Sequence, residues 1–143
     1  MEKPFYHDTI SSEFSRNQLA ANLRDAQHVC HGLAAEAGWW TDPKTGRKID
    51  PNATPYLVAA KLMLCVTELA EACEGHRKDL PDDKLPHRPM VEVELADTII
   101  RCFDLAGAMG LDLGGAIIDK LQFNSTREDH KLENRAKTGG KAY

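Results

Sequence analysis

Residues 90–109 read MVEVELADTIIRCFDLAGAM, and the fold follows from how this stretch distributes its side chains. At about 100° per residue, Val91, Leu95, Ile99, Cys102 and Ala106 fall on one face of a helix, and Val93, Ala96, Ile100 and Phe103 on a second. Glu94, Asp97, Arg101 and Asp104 fill the narrow polar stripe between them. A helix that is apolar on two sides is largely buried. Its carboxylates then face a cleft, not open solvent. A single protomer with few helices cannot easily cover both faces, so the pattern also predicts an oligomer.

Upstream, residues 68–78 read ELAEACEGHRK and repeat the theme. Glu68, Glu71 and Glu74 are spaced three apart, which puts neighbouring carboxylates on one helix face, about 5–6 Å from each other. Leu62, Val66, Leu69, Ala70 and Cys73 form the main apolar face of that helix, and Leu64 and Cys65 lie beside the glutamate stripe. Glu94 and Asp97 share the same spacing. Packed side by side, the two helices would bring Glu68, Glu71, Glu94 and Asp97 into one space. Buried carboxylates that stay ionised need a cation, or their pKa values rise. Lys61 and Arg101 compensate only in part, so a hard divalent cation is the economical solution. Oxygen-only ligands favour Mg²⁺ or Mn²⁺ over zinc. No histidine follows a glutamate by three positions, so the signature of a di-iron bundle is missing.

The rest of the chain supplies the frame. One helix is expected from about Ser12 to Ala37, with Ser11 or Ser12 as N-cap and Gly38 as its stop. Others are expected over 55–78, with Pro55 in the first turn, over 90–109, ending at Gly110, and from a cap at Asp112 to about Arg135. The segments TDPKTGRKIDPNATP and DLPDDKLPHRP are loops by their proline, glycine and charge content. No segment alternates apolar and polar residues as a half-buried strand would. The expected architecture is an all-α bundle of about four main helices in a single domain spanning 1–143, with 1–11 and 136–143 irregular.

Lys120, Asn124 and Arg127 would line one face of the last helix, where two cations and an amide suit phosphate oxygens. In the tail, Lys137, Gly139, Gly140 and Lys141 offer charge and close backbone approach to a phosphate. His28 and His31 lie three apart, and the Gly38-Trp39-Trp40 segment offers a stacking platform for a nucleobase. The chain is 42% hydrophobic and 28% charged, an ordinary globular composition. Its net charge of -4 argues against a nucleic-acid polymer as partner. No apolar run suits a membrane span, the start MEKPFYHDTISSEF has no signal-peptide pattern, and the four cysteines form no C-x-x-C pair. A cytoplasmic location is the expectation.

The paired Glu68-x-x-Glu71 and Glu94-x-x-Asp97, in the contexts ELAEACEGHRK, VEVELADTIIRCFDLAG and LDLGGAIIDKLQFNSTREDH, resemble the pattern of MazG-like all-α nucleoside triphosphate pyrophosphohydrolases. The resemblance extends from about Ala26 to the C-terminus. It implies a MazG-like helical bundle, completed as a homodimer or homotetramer. It implies Mg²⁺ on Glu68, Glu71, Glu94 and Asp97, with Mn²⁺ a possible substitute. Glu71 or Glu74 would act as the catalytic base, Lys120, Asn124 and Arg127 would hold the triphosphate, and His31 and Trp40 would contact the base. The implied reaction cleaves a nucleoside triphosphate to the monophosphate and pyrophosphate, in nucleotide-pool house-cleaning or nucleotide metabolism. Alternatives are a related substrate, dUTP, dCTP or phosphoribosyl-ATP, and a non-catalytic helical oligomerisation module that has kept the fold.

Overall fold

The computed structural model describes residues 5–141, and these are mostly helical. In chain order the helices are α1 (Phe5–Ser11), α2 (Glu13–Glu36), α3 (Pro55–Lys78), α4 (Met90–Ala108), α5 (Leu113–Ser125) and α6 (Leu132–Arg135). Single 3-10 turns occur at Pro51–Ala53 and Glu128–His130, and the only β pairings among the described residues are the isolated bridges Thr41–Lys48 and Pro81–Pro89. The all-α expectation holds. No described helix is long and apolar enough to cross a membrane. Contacts divide the chain into two compact units, one made by residues up to Arg24 together with those from Leu113 onward, the other by Asp25–Asp112.

Residues 1–4 lie outside the described residues; in the first unit, Phe5–Ser11, within the stretch expected to be irregular, forms α1. Ser12 ends it and starts α2: its hydroxyl accepts from the Ser15 N–H at 3.4 Å, and Arg16 Nη1 donates to the Ile10 carbonyl at 2.6 Å. The last long helix stops at Ser125, ten residues short of the expected Arg135. Its sequence gives the reason. The hydroxyls of Ser125 and Thr126 donate to the carbonyls of Gln122 and Phe123 at 2.7 and 2.9 Å, giving the backbone a local alternative to continued helix. Arg127 then adopts an extended backbone, so it does not share a helical face with Lys120 and Asn124.

The second unit is built on α3 and α4. Lys61 meets Asp104 at 3.5 Å, Cys65 meets Cys102 at 3.8 Å between sulfurs, and Glu68 meets Arg101 at 2.7 Å. Rising numbers on one helix pair with falling numbers on the other, so the two run antiparallel. Near the loop end the approach is tight: a Cβ on Gly75 would lie 2.8 Å from Met90 Cβ. All four cysteines are free thiols. The second half of α2 also belongs to this unit and ends at Glu36, two residues before Gly38, whose φ of +86° an L side chain rarely adopts.

α3 closes with the Leu80 N–H donating to the Gly75 carbonyl at 3.0 Å, around Asp79 at a left-handed φ of 51°. Asp79 is exposed, strained for a residue with a Cβ, and negative at the negative end of a helix dipole. Asp79→Gly removes both penalties, against the greater chain entropy of glycine in the unfolded state. The expected outcome is a stabilisation of about 0.5–1 kcal/mol, read as a higher urea midpoint at unchanged slope.

Candidate metal centre and its adjoining polar network

The buried stripe of α3 comprises Cys65, Glu68, Ala72 and Gly75, and it faces the polar stripe of α4. Helical spacing thereby carries Glu68 from one helix and Glu94 and Asp97 from the other to a common point. One carboxylate oxygen from each lies within 4.8 Å of the others. Glu68 and Glu94 are buried, at 6% and 7% exposure, and Asp97 is half-buried. Arg101 Nη2 forms an ion pair with Glu68 Oε1 at 2.7 Å, and Arg101 Nε is buried without a hydrogen-bond partner.

This crowding has an electrostatic signature. Burial, a hydrogen bond shared with Glu68, and the negative charges of Glu71, Glu68 and Asp97 push the Glu94 carboxyl up to about 7. One guanidinium therefore does not neutralise the cluster. The donors are all carboxylate oxygens, close enough to converge on one ion, and their charge is under-compensated. These residues fit a hard cation.

The other expected carboxylates are placed differently. Glu71 is exposed, outside the close trio, yet near enough to act on Glu94. Glu74 turns outward: its oxygens take Arg77 Nη2 at 2.6 Å and the Lys78 ammonium, and these partners hold its carboxyl below the usual range. Glu74 is thus engaged with cations of its own helix and lies apart from the close trio. An i+3, i+4 pair of cations following it was visible in GHRK and captures it.

One helical turn or more from the trio lies a network that the sequence reading did not anticipate. Asp104 is 7% exposed. Its Oδ1 accepts from Trp40 Nε1 at 2.6 Å and lies 3.0 Å from His31 Nδ1, while Lys61 Nζ sits 3.5 Å from Oδ2. Lys61 also lies over the Trp40 ring, 4.4 Å from its centroid. Trp40 is fixed from the loop side as well. Its carbonyl accepts from Ile49, and Asp42 Oδ1 caps the intervening turn through the N–H groups of Lys44 and Thr45. Trp40 is 6% exposed, so its face is not the open platform expected, whereas Trp39 is 70% exposed. His28 is exposed on α2 and takes no part in the network.

Lys120, Asn124 and Arg127 belong to the first unit. Lys120 and Arg127 flank the Phe123 ring at 4.9 and 5.6 Å. Asn124 Oδ1 is buried without a partner, and Arg127 forms a two-pronged pair with Asp129 at 2.8 and 2.5 Å. Lys141 pairs with the same Asp129, and Lys137 donates to Asn134 Oδ1. The tail cations are therefore engaged within their own segment.

The Glu94 carboxyl titrates above its unfolded value of 4.5, at about 7, because the folded protein binds its proton more tightly. Its stabilising contribution is fully present below the unfolded value and is lost as pH rises through about 7. In the presence of a chelator, the melting temperature should fall across that window. Glu94→Gln, which keeps the neutral form, should flatten the fall. Calorimetry on both proteins across the window checks this, and an unchanged slope in the variant would contradict it.

Comparison of the chain with models of protein families, with curated proteins and with solved structures finds no match.

Proposed function

We propose that this chain is a Mg²⁺-dependent nucleoside triphosphate pyrophosphohydrolase that acts on the α–β anhydride and releases pyrophosphate. The observation that carries this reading is the buried convergence of Glu68, Glu94 and Asp97 across two antiparallel helices. Its resemblance to the MazG-like pattern supplies the substrate class. Glu68, Glu94 and Asp97, with Glu71 beside them, would hold the ion. When bound, Mg²⁺ (or Mn²⁺) offsets the charge of the triphosphate and makes water more acidic.

The chain's own groups do the remainder. Arg101 orients Glu68 by pairing with Oε1. Glu71 is exposed and is the carboxylate available to take the proton of the attacking water. Glu74, bound to Arg77 and Lys78, is not needed for that step. Water adds to the α-phosphorus, the bond to the bridging oxygen breaks, and pyrophosphate departs with the electron pair. His31 is assigned to the base.

Pyrophosphate release from a panel of ribo- and deoxyribonucleoside triphosphates, with and without Mg²⁺, tests the reading. The expected result is metal-dependent release that Glu68→Gln or Asp97→Asn lowers by more than about 100-fold. No release from any nucleotide, including dUTP and dCTP, would leave the non-catalytic module as the better reading.

The apolar flanks of the two helices support a homo-oligomer. Leu62, Val66 and Leu69 of α3 are 53%, 50% and 47% exposed, and Leu95 and Ile99 of α4 are 47% and 55% exposed. Exposed apolar side chains at helical spacing on both helices are what a second copy would cover. Light scattering should give a dimer or tetramer, and Ile99→Glu should shift it toward monomer. A stable wild-type monomer at micromolar concentration would overturn the proposal.

A further inference from the structure

The Asp104 network holds a histidine in one orientation by two independent means. The first is chemical. Asp104 Oδ1 lies 3.0 Å from His31 Nδ1, and the same oxygen accepts from Trp40 Nε1 at 2.6 Å. Lys61 Nζ, 3.5 Å from Oδ2, keeps a positive charge against the carboxylate. The second is steric. Gly107, one turn beyond Asp104 on α4, lies flat against the imidazole. A Cβ there would come within 2.5 Å of His31 Cβ, 2.8 Å of Cγ and 3.3 Å of Cδ2. With Nδ1 turned to Asp104 and the Cβ–Cγ–Cδ2 edge seated on Gly107, the remaining edge carries Nε2. No described residue pairs with that nitrogen, and the side chain is 29% exposed.

From this arrangement we infer that Asp104 is a positioning residue that, with Gly107, presents His31 Nε2 to a ligand as a hydrogen-bond acceptor. An ionised carboxylate can only accept, so the imidazole proton resides on Nδ1. In the neutral ring the Nε2 lone pair is then free. The subsite takes an aromatic heterocycle through an N–H or amino donor on its edge. Trp40 supports the site from behind and does not stack: Lys61 lies over its ring, 4.4 Å from the centroid, and its N–H is committed to Asp104. The ligand class rests on the nucleotide reading given above. The tautomer of His31 does not.

Two measurements separate these. Nitrogen-15 NMR of the protein without nucleotide, at about pH 8 where an ordinary histidine is neutral, reads the protonated nitrogen directly. Wild type should show the proton on Nδ1, and Asp104→Asn, with a weaker acceptor in place of the carboxylate, should shift the ring toward the Nε2–H form. A wild-type proton on Nε2 overturns the inference. In the pyrophosphate assay, Asp104→Asn should raise KM about tenfold for the best nucleotide, while kcat and the Mg²⁺ requirement stay near wild type. A fall in kcat at unchanged KM overturns the role in ligand presentation. Gly107→Ala should reproduce the rise in KM with Asp104 intact, and if it does not fold, Asp104→Asn alone decides. Absence of any pyrophosphate release from wild type would sink the nucleotide reading while the nitrogen spectrum still judges the tautomer.

Discussion

The structure depends on placing carboxylates along the seam where two antiparallel helices meet. A buried charge is tolerated only where another group meets it. The seam answers this at two levels. Asp104 has Lys61, the indole N–H of Trp40 and His31 around it. Glu68 has Arg101, but among the described residues no cation pairs with Glu94 or Asp97, and Lys84 acts on Glu94 only without pairing. Between the two levels the Cys65 and Cys102 thiols touch, a small apolar spacer between sites of unlike charge balance. One level is therefore complete as it stands. The other is short of positive charge, and it is there that the Glu94 carboxyl is driven up to about 7.

Much of the second unit could be read from the chain. The α3 span matched the expected 55–78, and α4 ended at Ala108, one residue before the expected end at 109. Strong local signals set these limits: Pro55, the proline-rich loop, and the αL closure at Asp79. The polar stripe of Glu94, Asp97, Arg101 and Asp104 was legible because a helical period of 3.6 fixes which residues share a face. That Glu68 would join Glu94 and Asp97 followed from the same arithmetic applied to α3. Periodicity does not fix where a long side chain ends, and Glu71 and Glu74 show this. Both share the stripe, yet one stays in solvent and the other turns to Arg77 and Lys78.

Other features lay outside local pattern. The Asp104 network joins residues from three helices and a loop, and no spacing in the chain announces it. Trp40 and Trp39 are adjacent and chemically alike, and only the turn built on Asp42 decides which is buried. The end of α5 departs from the expectation because LQFNSTREDH retains a helical spacing of charges through Arg127, while the hydroxyls of Ser125 and Thr126 bond the carbonyls of Gln122 and Phe123. Side-chain competition for the backbone prevailed there over the surface pattern.

The two levels of the seam also differ in how far the chain must travel to build them. Cys65 and Cys102 are 37 residues apart, and the hairpin can zip from its loop to reach them. His31 and Asp104 are 73 residues apart and require α2 and the loop after it to be in place. Doubling a loop adds only about 0.6 kcal/mol of closure entropy, so the longer contact is affordable in equilibrium terms. The acidic trio thus needs only the α3–α4 hairpin to be in place, whereas the histidine also needs α2 and the loop after it.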